Sequence, residues 1–416
     1  MSIVRAGIYS GFATAARLLA GLVVIKLVAW FAGPTGIGKL GQFMSLMSLL
    51  SVLAGGGIMS GVTKYVAEYR EDATLLNRLI SSSLSYAGCA SLVIGVATLL
   101  FSEQIAISLL GDAAYESLIW VLAIAQAMIA LNNYIVALIN GFMDVKRVAL
   151  IYVAGAVLNM SITALLAWQF KLYGALLALV VGQASVLLVS LVVLKMSPYF
   201  SRAVFALSFD RDMFRRLAGY STMTLTSALL PPLVNIWVRN HLADRFSWDQ
   251  VGLWQAVSKV SEAYLLFITM AISMYYLPKL SSIRNRDELR AELRSAYAHI
   301  MPAVVVIAGT IYFLRDWVTL LLFSGDFSAA APLYLPQLIG DVVKIAAYVL
   351  SYIMLAKAMT RAFLFSEFLF SATYIALVYL FVDRFGLIGT MYAFTVNYVG
   401  YLLYTYLVAR FYMRTM

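Results

Sequence analysis

Seven ionisable residues stand inside otherwise apolar runs of this 416-residue chain: Arg17, Lys26, Lys259, Glu262, Asp341, Lys344 and Glu367. A charge at the centre of a membrane helix costs about 2.5–3.5 kcal/mol on insertion scales, and more on others. Such groups therefore face a water-filled cavity, a partner, or the interface that a long side chain can reach. Lys259 and Glu262 are three residues apart, which puts them on one helical face, and Asp341 and Lys344 repeat that spacing. Each couple reads either as a self-contained pair that fixes helix packing or as a cavity wall with charge to spare. Arg17 and Lys26 are nine residues apart, half a turn out of phase on a regular helix. Both line one cavity only if the helix bends, and Gly21 between them would tolerate a bend. Four cations against three acids, with Lys64 and Arg70 near the cytoplasmic mouth, make a cavity that attracts an anion. A pyrophosphate finds the strongest complement there, through charge-assisted hydrogen bonds in a low-dielectric wall. Glu262 and Asp341 could couple the cavity to protons if either lost its cationic partner during a working cycle.

The elements that hold these residues must be membrane helices. Hydrophobic residues make up 63 % of the chain and charged residues 12 %, with a mean hydropathy of +0.88. A soluble domain carries roughly 25 % charged residues, because it needs a polar skin. The apolar residues come in runs of about 20, helix length for a bilayer core, and not in the short alternating segments of a barrel. Twelve runs are readable: roughly 10–32, 40–62, 79–101, 116–138, 148–168, 173–194, 219–240, 251–277, 297–323, 330–356, 362–382 and 388–409. The short connection around Lys171 forces a hairpin. The longest connections, at about 63–78, 195–218 and 278–296, fall on one side.

Twelve spans put both termini on one side, and the basic residues say which. That side carries 20 of the 30 lysines and arginines, among them Arg5, Lys64, Arg78, Arg202, Arg286 and Arg290. The other side has six: Lys39, Lys171, Arg239, Arg245, Arg315 and Arg384. The positive-inside rule places both termini in the cytoplasm. The net charge of +10 is thus a matter of topology and gives no reason to expect nucleic acid as a partner. The middle long connection divides the chain into six-helix halves, 1–210 and 211–416. Both halves would share one orientation and enclose a central cleft, the layout of a transporter. Gly55-Gly56-Gly57 and Pro231-Pro232 lie within apolar runs, where tandem breakers serve as hinges or bind substrate through freed backbone.

Several chemistries lack their residues. No Gly-rich phosphate loop is present. His241 and His299 are too few for a His-based metal site, so neither a metal nor a cofactor is expected, and no catalytic residue is assigned. A membrane-embedded transferase would need a carboxylate at the lip of a cavity, and Asp341 is too deep for that.

Four segments carry a resemblance to a known family: Gly61-Val62-Thr63-Lys64-Tyr65-Val66-Ala67-Glu68-Tyr69, Ser247-Trp248-Asp249-Gln250-Val251-Gly252-Leu253-Trp254-Gln255, Tyr275-Tyr276-Leu277-Pro278-Lys279-Leu280-Ser281 and Gly340-Asp341-Val342-Val343-Lys344. The chain resembles the bacterial flippases of undecaprenyl-pyrophosphate-linked oligosaccharides that serve O-antigen and enterobacterial common antigen assembly. The likeness is strongest to those that carry the common-antigen trisaccharide. That family belongs to a superfamily that includes the multidrug and toxin extruders. The resemblance implies an all-α polytopic fold of twelve transmembrane helices like that of the extruders, and a place in the inner membrane. It implies a cationic central cavity at Arg17, Lys26, Lys64, Lys259 and Lys344, which binds the lipid-linked oligosaccharide. It also implies partners in the same pathway, a glycan polymerase and a chain-length regulator, besides the phospholipid bilayer. The second reading is a multidrug or organic-ion exporter of the same superfamily, for which the cavity's sign is wrong. The topology predicts that a reporter active only in the periplasm lights up when fused after Ala243 and stays dark after Asp210 or Arg286. The reverse pattern would overturn the orientation.

Overall fold

The computed structural model of the protein describes residues 3–200 and 206–415. Every regular element among them is a helix, because hydrocarbon leaves backbone N–H and C=O groups no partner outside their own helix. The helices are α1 (Ile3–Ala54), α2 (Met59–Tyr69), α3 (Ala73–Leu100), α4 (Ser102–Leu110), α5 (Glu116–Gly141), α6 (Val145–Lys195), α7 (Arg211–Arg245), α8 (Trp248–Ser282), α9 (Arg286–Phe313), α10 (Arg315–Leu322), α11 (Ala331–Ala356), α12 (Thr360–Phe385) and α13 (Gly389–Thr415). Among the described residues, seven helical stretches are long and apolar enough to cross a membrane. The protein is an all-α, multi-pass membrane protein.

Three of those stretches have 41, 51 and 56 residues, about twice what one span requires. Each carries a backbone break, at Gly33, Lys171 and Gly386, where φ is +58°, +50° and +67°. At the last two the chain reverses. A methyl group on Gly174 would collide with the carbonyl oxygen of Leu166, which a straight helix would hold about 12 Å away. Farther from the turn, Gly155 meets Val186 and Gly182 meets Asn159. Each couple lies at nearly equal sequence distances on either side of Lys171, so the two arms of α6 run antiparallel, and the expected hairpin is present. The pattern repeats around Gly386. Gly389 abuts Phe381, Thr373 donates to Asn397 Oδ1 at 2.7 Å, and the Tyr404 hydroxyl donates to the Ala362 carbonyl at 2.9 Å.

The run expected at 40–62 is interrupted. α1 ends at Ala54, Gly56 and Gly57 take φ of +63° and +64°, and α2 starts at Met59. The freed carbonyl of Ala54 accepts a hydrogen bond from Ser91 Oγ at 2.8 Å, so the break leaves no bare acceptor there. Pro231 and Pro232, by contrast, lie inside α7, which runs through them without interruption. The expected long loops at 63–78 and 278–296 are mostly helical. α2 reaches Tyr69 and α9 begins at Arg286, because each has an apolar stripe to bury: Val62, Val66 and Tyr69 in one, Leu289 and Leu293 in the other. Arg202, counted with the middle long connection, lies outside the described residues.

The chain clusters into two compact units, one holding residues up to Ala32 with Lys39–Ile236, the other Gly33–Gly38 with the residues from Trp237 onward. In the first, α3 and α5 run antiparallel, with the Tyr134 hydroxyl donating to the Ile80 carbonyl at 3.0 Å and Gly95 set against Gln126. Asp210, ahead of α7, accepts from Arg78 Nε at 2.8 Å and from the backbone N–H of Met213 at 3.2 Å. The Met213 N–H, and then the Arg78 guanidinium, hold its carboxyl below the ordinary carboxylate range. That stabilisation is present above the unfolded value near pH 4 and is lost as pH falls through the depressed one.

In the second unit, α7 and α8 form a hairpin at Phe246–Ser247, where Ser247 Oγ caps α8 by accepting from the Gln250 N–H. α8 and α11 run parallel, joined by Tyr264 with Asp341, Tyr276 with Tyr352 and Lys357 with the Ile283 carbonyl. The end of α7 runs parallel to α12, joined by a tilted ring contact of His241 with Tyr379 and Arg245 pairing with Asp383 at 2.7 Å.

The two hairpin contacts should tolerate no side chain. Gly174→Ala and Gly389→Ala should each destabilise the protein by about 1–3 kcal/mol, the usual cost of overpacking. This would be read as a lower melting temperature of the purified protein. Gly309→Ala, where a methyl group meets nothing within 4 Å, should not lower it.

Candidate functional site

Of the five predicted cavity cations, three lie in the first unit. Arg17 on α1 is exposed, with its guanidinium carbon 4.5 Å from the centre of the Tyr152 ring. Lys26, on the same helix, is half-buried. α1 leaves helical geometry at Gly33 and not at the expected Gly21, so the two residues keep their half-turn offset. Lys64 on α2 is exposed, and its ammonium lies 4.6 Å over the ring of Tyr65. Each aromatic face offers a cation the negative side of its quadrupole without neutralising the charge. A groove of about 460 Å³ between α3 and α5 is lined by Ala87, Gly88, Gly95 and Ala123 among other small and apolar residues. It holds none of the predicted cations.

The second unit gathers the remaining predicted charges. α8 supplies Lys259 and Glu262, one helical turn apart, with Nζ and Oε2 2.6 Å apart. That pair is as the spacing predicts. Lys259 is the more buried partner, at 20 % side-chain exposure against 53 % for Glu262. Asp341 and Lys344 on α11 share the spacing but form no ion pair. Asp341 is fully buried. It accepts hydrogen bonds from the Tyr264 hydroxyl at 2.8 Å and from Gln337 Nε2 at 3.0 Å. Lys344 points its ammonium at the rings of Tyr398 and Phe394 on α13, 5.4 and 5.6 Å from their centres. Neutral donors thus serve the acid and aromatic faces serve the base. Burial makes this the cheaper arrangement, because a dry ion pair must repay the desolvation of both ions. Glu367 is half-buried on α12.

One member of the cluster escaped the sequence reading. Arg239 was counted among the outward loop residues, in the polar stretch Arg239-Asn240-His241, but α7 continues to Arg245 and buries it to 3 % exposure. Its Nε donates to Gln255 Oε1 at 2.8 Å, and its guanidinium lies 5.6 Å over the Trp254 ring. Gln255 is itself buried, and its amide nitrogen has no acceptor among the described residues. A signal existed. Residues 239 and 255 stand at nearly equal distances from the Phe246–Ser247 turn, so a tight hairpin brings them together. No group of His, Cys, Asp and Glu among the described residues could hold a metal ion.

The family model described as "Polysaccharide biosynthesis protein" matches residues 27–332. The lipid III flippase of Escherichia coli (strain K12) is 32 % identical over 402 residues, which are 96 % of each chain. Among solved structures, an inward-facing multidrug resistance MATE family transporter of the MOP superfamily superposes with a TM-score of 0.81 at 15 % identity. The match covers 96 % of this chain and 95 % of that one. The lipid II flippase MurJ, in an inward closed conformation, superposes with a TM-score of 0.75 at 15 % identity, over 98 % of this chain and 87 % of the other. These two likenesses show the fold, which is MATE-like.

The Asp341 arrangement predicts an asymmetry between tyrosines. Tyr264→Phe removes a donor from a buried carboxyl and should cost about 1–3 kcal/mol, seen as a fall in melting temperature. Tyr406→Phe, at a half-exposed position, should leave it unchanged.

Proposed function

We propose that this chain, which belongs to the polysaccharide biosynthesis protein family, is a flippase of an undecaprenyl-pyrophosphate-linked oligosaccharide. It moves that lipid from the cytoplasmic to the periplasmic leaflet of the inner membrane. The observation that carries this reading is the 32 % identity to the lipid III flippase over 96 % of both chains. The embedded cations supply the chemistry. A pyrophosphate crossing the bilayer must exchange its water for other partners, since an unpaired charge in a low-dielectric core is very costly. Arg17, Lys26, Lys64, Lys259 and Lys344 are the candidates. Arg17 on α1 is exposed and lies against the face of Tyr152, a contact that leaves its charge available to an anion.

In this reading twelve spans with both termini cytoplasmic form two six-helix halves, 1–210 and 211–416, and the headgroup passes through the cleft that they alternately open. The polyprenyl tail stays in lipid. The breaks at Gly55–Gly57 and the prolines 231 and 232 are the candidate hinges, and Glu262 and Asp341 the candidate groups for coupling to protons. No bond of the substrate is made or broken, so the process is transport and not an enzymatic reaction. A glycan polymerase and a chain-length regulator would act on the delivered lipid. An exporter of drugs or organic ions is the weaker reading. It rests on fold likeness at 15 % identity, and its cationic cargo would be repelled by these residues.

Deletion should cause lipid-linked oligosaccharide to accumulate on the cytoplasmic face, and mass analysis of that lipid would name the glycan. Complementation of a flippase-null strain, with membrane abundance held equal, tests the site. Arg17→Ala or Lys26→Ala should lower surface glycan more than Lys259→Ala does, since Lys259 already has Glu262. Arg17→Lys should retain part of the activity, because the charge survives while the fork of donors is lost. Lys26→Glu should be worse than Lys26→Ala. Full glycan from both Arg17→Ala and Lys26→Glu would remove the first helix from the site.

A further inference from the structure

Three cations from three helices of the second unit act on one carboxylate. Lys259 on α8 touches Glu262 at 2.6 Å. Arg239 on α7 and Lys344 on α11 each lie within electrostatic reach of the same group. Two of the three bases are held by other contacts as well. Arg239 is fixed by Gln255 and Trp254, and Lys344 sits against Phe394 and Tyr398. The other acid nearby, Asp341, is fully buried and engaged by Tyr264 and Gln337. Glu262 differs from all of these. Its side chain is 53 % exposed, it has three rotatable bonds, and Lys259 is the one partner that touches it among the described residues. Ion pairs with so exposed a member hold weakly. Arg239 and Lys344 are therefore set in place and Lys259 is largely buried, while the acid that faces them can swing away at little cost.

We propose that Glu262 is a stand-in anion: in the substrate-free protein its carboxylate occupies the place of a phosphate, and the pyrophosphate headgroup displaces it. This rests on the flippase reading above and adds Arg239 to the groups that meet the headgroup. It explains why a site for an anion carries an acid at its open edge. Three cations without a counter-ion would repel one another and spread the helices that bear them. Glu262 holds them together until the substrate arrives and then gives way. The site takes a compact, doubly or triply charged anion, since that charge replaces the carboxylate and also engages Arg239 and Lys344. Lys259, freed from Glu262, turns from a neutralised residue into a ligand.

The test is binding of farnesyl diphosphate, a short polyprenyl pyrophosphate, to the purified full-length protein in detergent, with farnesol as the uncharged control. Glu262→Gln keeps the shape of the side chain and removes its charge, and should bind farnesyl diphosphate about tenfold more tightly than wild type, with farnesol binding unchanged. A tenfold change corresponds to about 1.4 kcal/mol. Glu262→Ala should tighten binding too, so that the gain does not depend on how the new amide settles. Lys259→Gln in the Glu262→Gln background should reverse most of the gain. Binding that is unchanged or weaker in both Glu262 variants, or tightening that farnesol shows equally, would overturn the stand-in. The flippase reading is judged separately, by surface glycan in cells. Wild type that restores glycan while the Glu262 variants bind no more tightly leaves the flippase standing without the stand-in. Tighter binding by the variants with no glycan from wild type does the opposite.

Discussion

Everything in this fold follows from the need of each backbone amide for a partner where the solvent offers none. Inside hydrocarbon an unsatisfied N–H or C=O costs several kcal/mol, so the chain can only be helix there, and any departure from helix must be covered. The departures seen are covered in different ways. The Ala54 carbonyl, freed by the Gly55–Gly57 break, is met by a serine from α3. The reversal at Lys171 and the one at Gly386 are each a few residues long, and close packing of the arms on either side leaves little backbone bare. Glycines 174 and 389 are needed there for lack of room.

Charge obeys the same rule, with more varied solutions. The second unit uses ion pairs, Lys259 with Glu262 and Arg245 with Asp383 among them, where a partner is exposed. Where a group is deeply buried the protein avoids pairing. Asp341 is held by a tyrosine and a glutamine, and Arg239 by an amide oxygen and an indole face. A cation over an aromatic ring gains about 0.5–2 kcal/mol, enough to offset part of its burial yet too little to cancel its field. Such residues keep their charge available to a passing anion, which a salt bridge would not allow. That is how a stable membrane protein can also be a cationic one.

Much of this was legible in the sequence. Run length gives membrane helices, and the short connection at Lys171 gives its hairpin, since both follow from hydropathy alone. The three-residue spacing of Lys259 and Glu262 gives their pair. The same spacing misleads at Asp341 and Lys344, because spacing reports a shared face and says nothing of what the neighbouring helices bring to it. Tyr264, Tyr398 and Phe394 arrive from α8 and α13, and they change the outcome. Arg239 was misread for a related reason. A polar stretch such as Arg239-Asn240-His241 looks like a loop to any measure that averages hydropathy, whereas burial depends on which partner the hairpin delivers. The segments at 63–78 and 278–296 failed similarly. Charged residues there mask stripes of valine and leucine at helical spacing.

α8 and α11 lie side by side in one direction and are tied at three levels, by Tyr264 with Asp341, Tyr276 with Tyr352, and Lys357 with the carbonyl of Ile283. The ties keep nearly the same sequence offset along about 18 residues of α11. Sliding one helix past the other by a single turn would disturb all three at once. The two helices therefore behave as one beam, stiff in shear. The backbones that carry Lys259 and Glu262 on α8 and Lys344 on α11 are thus coupled when either helix tilts. Any motion that separates these charges has to come from the side chains and not from the backbone that carries them.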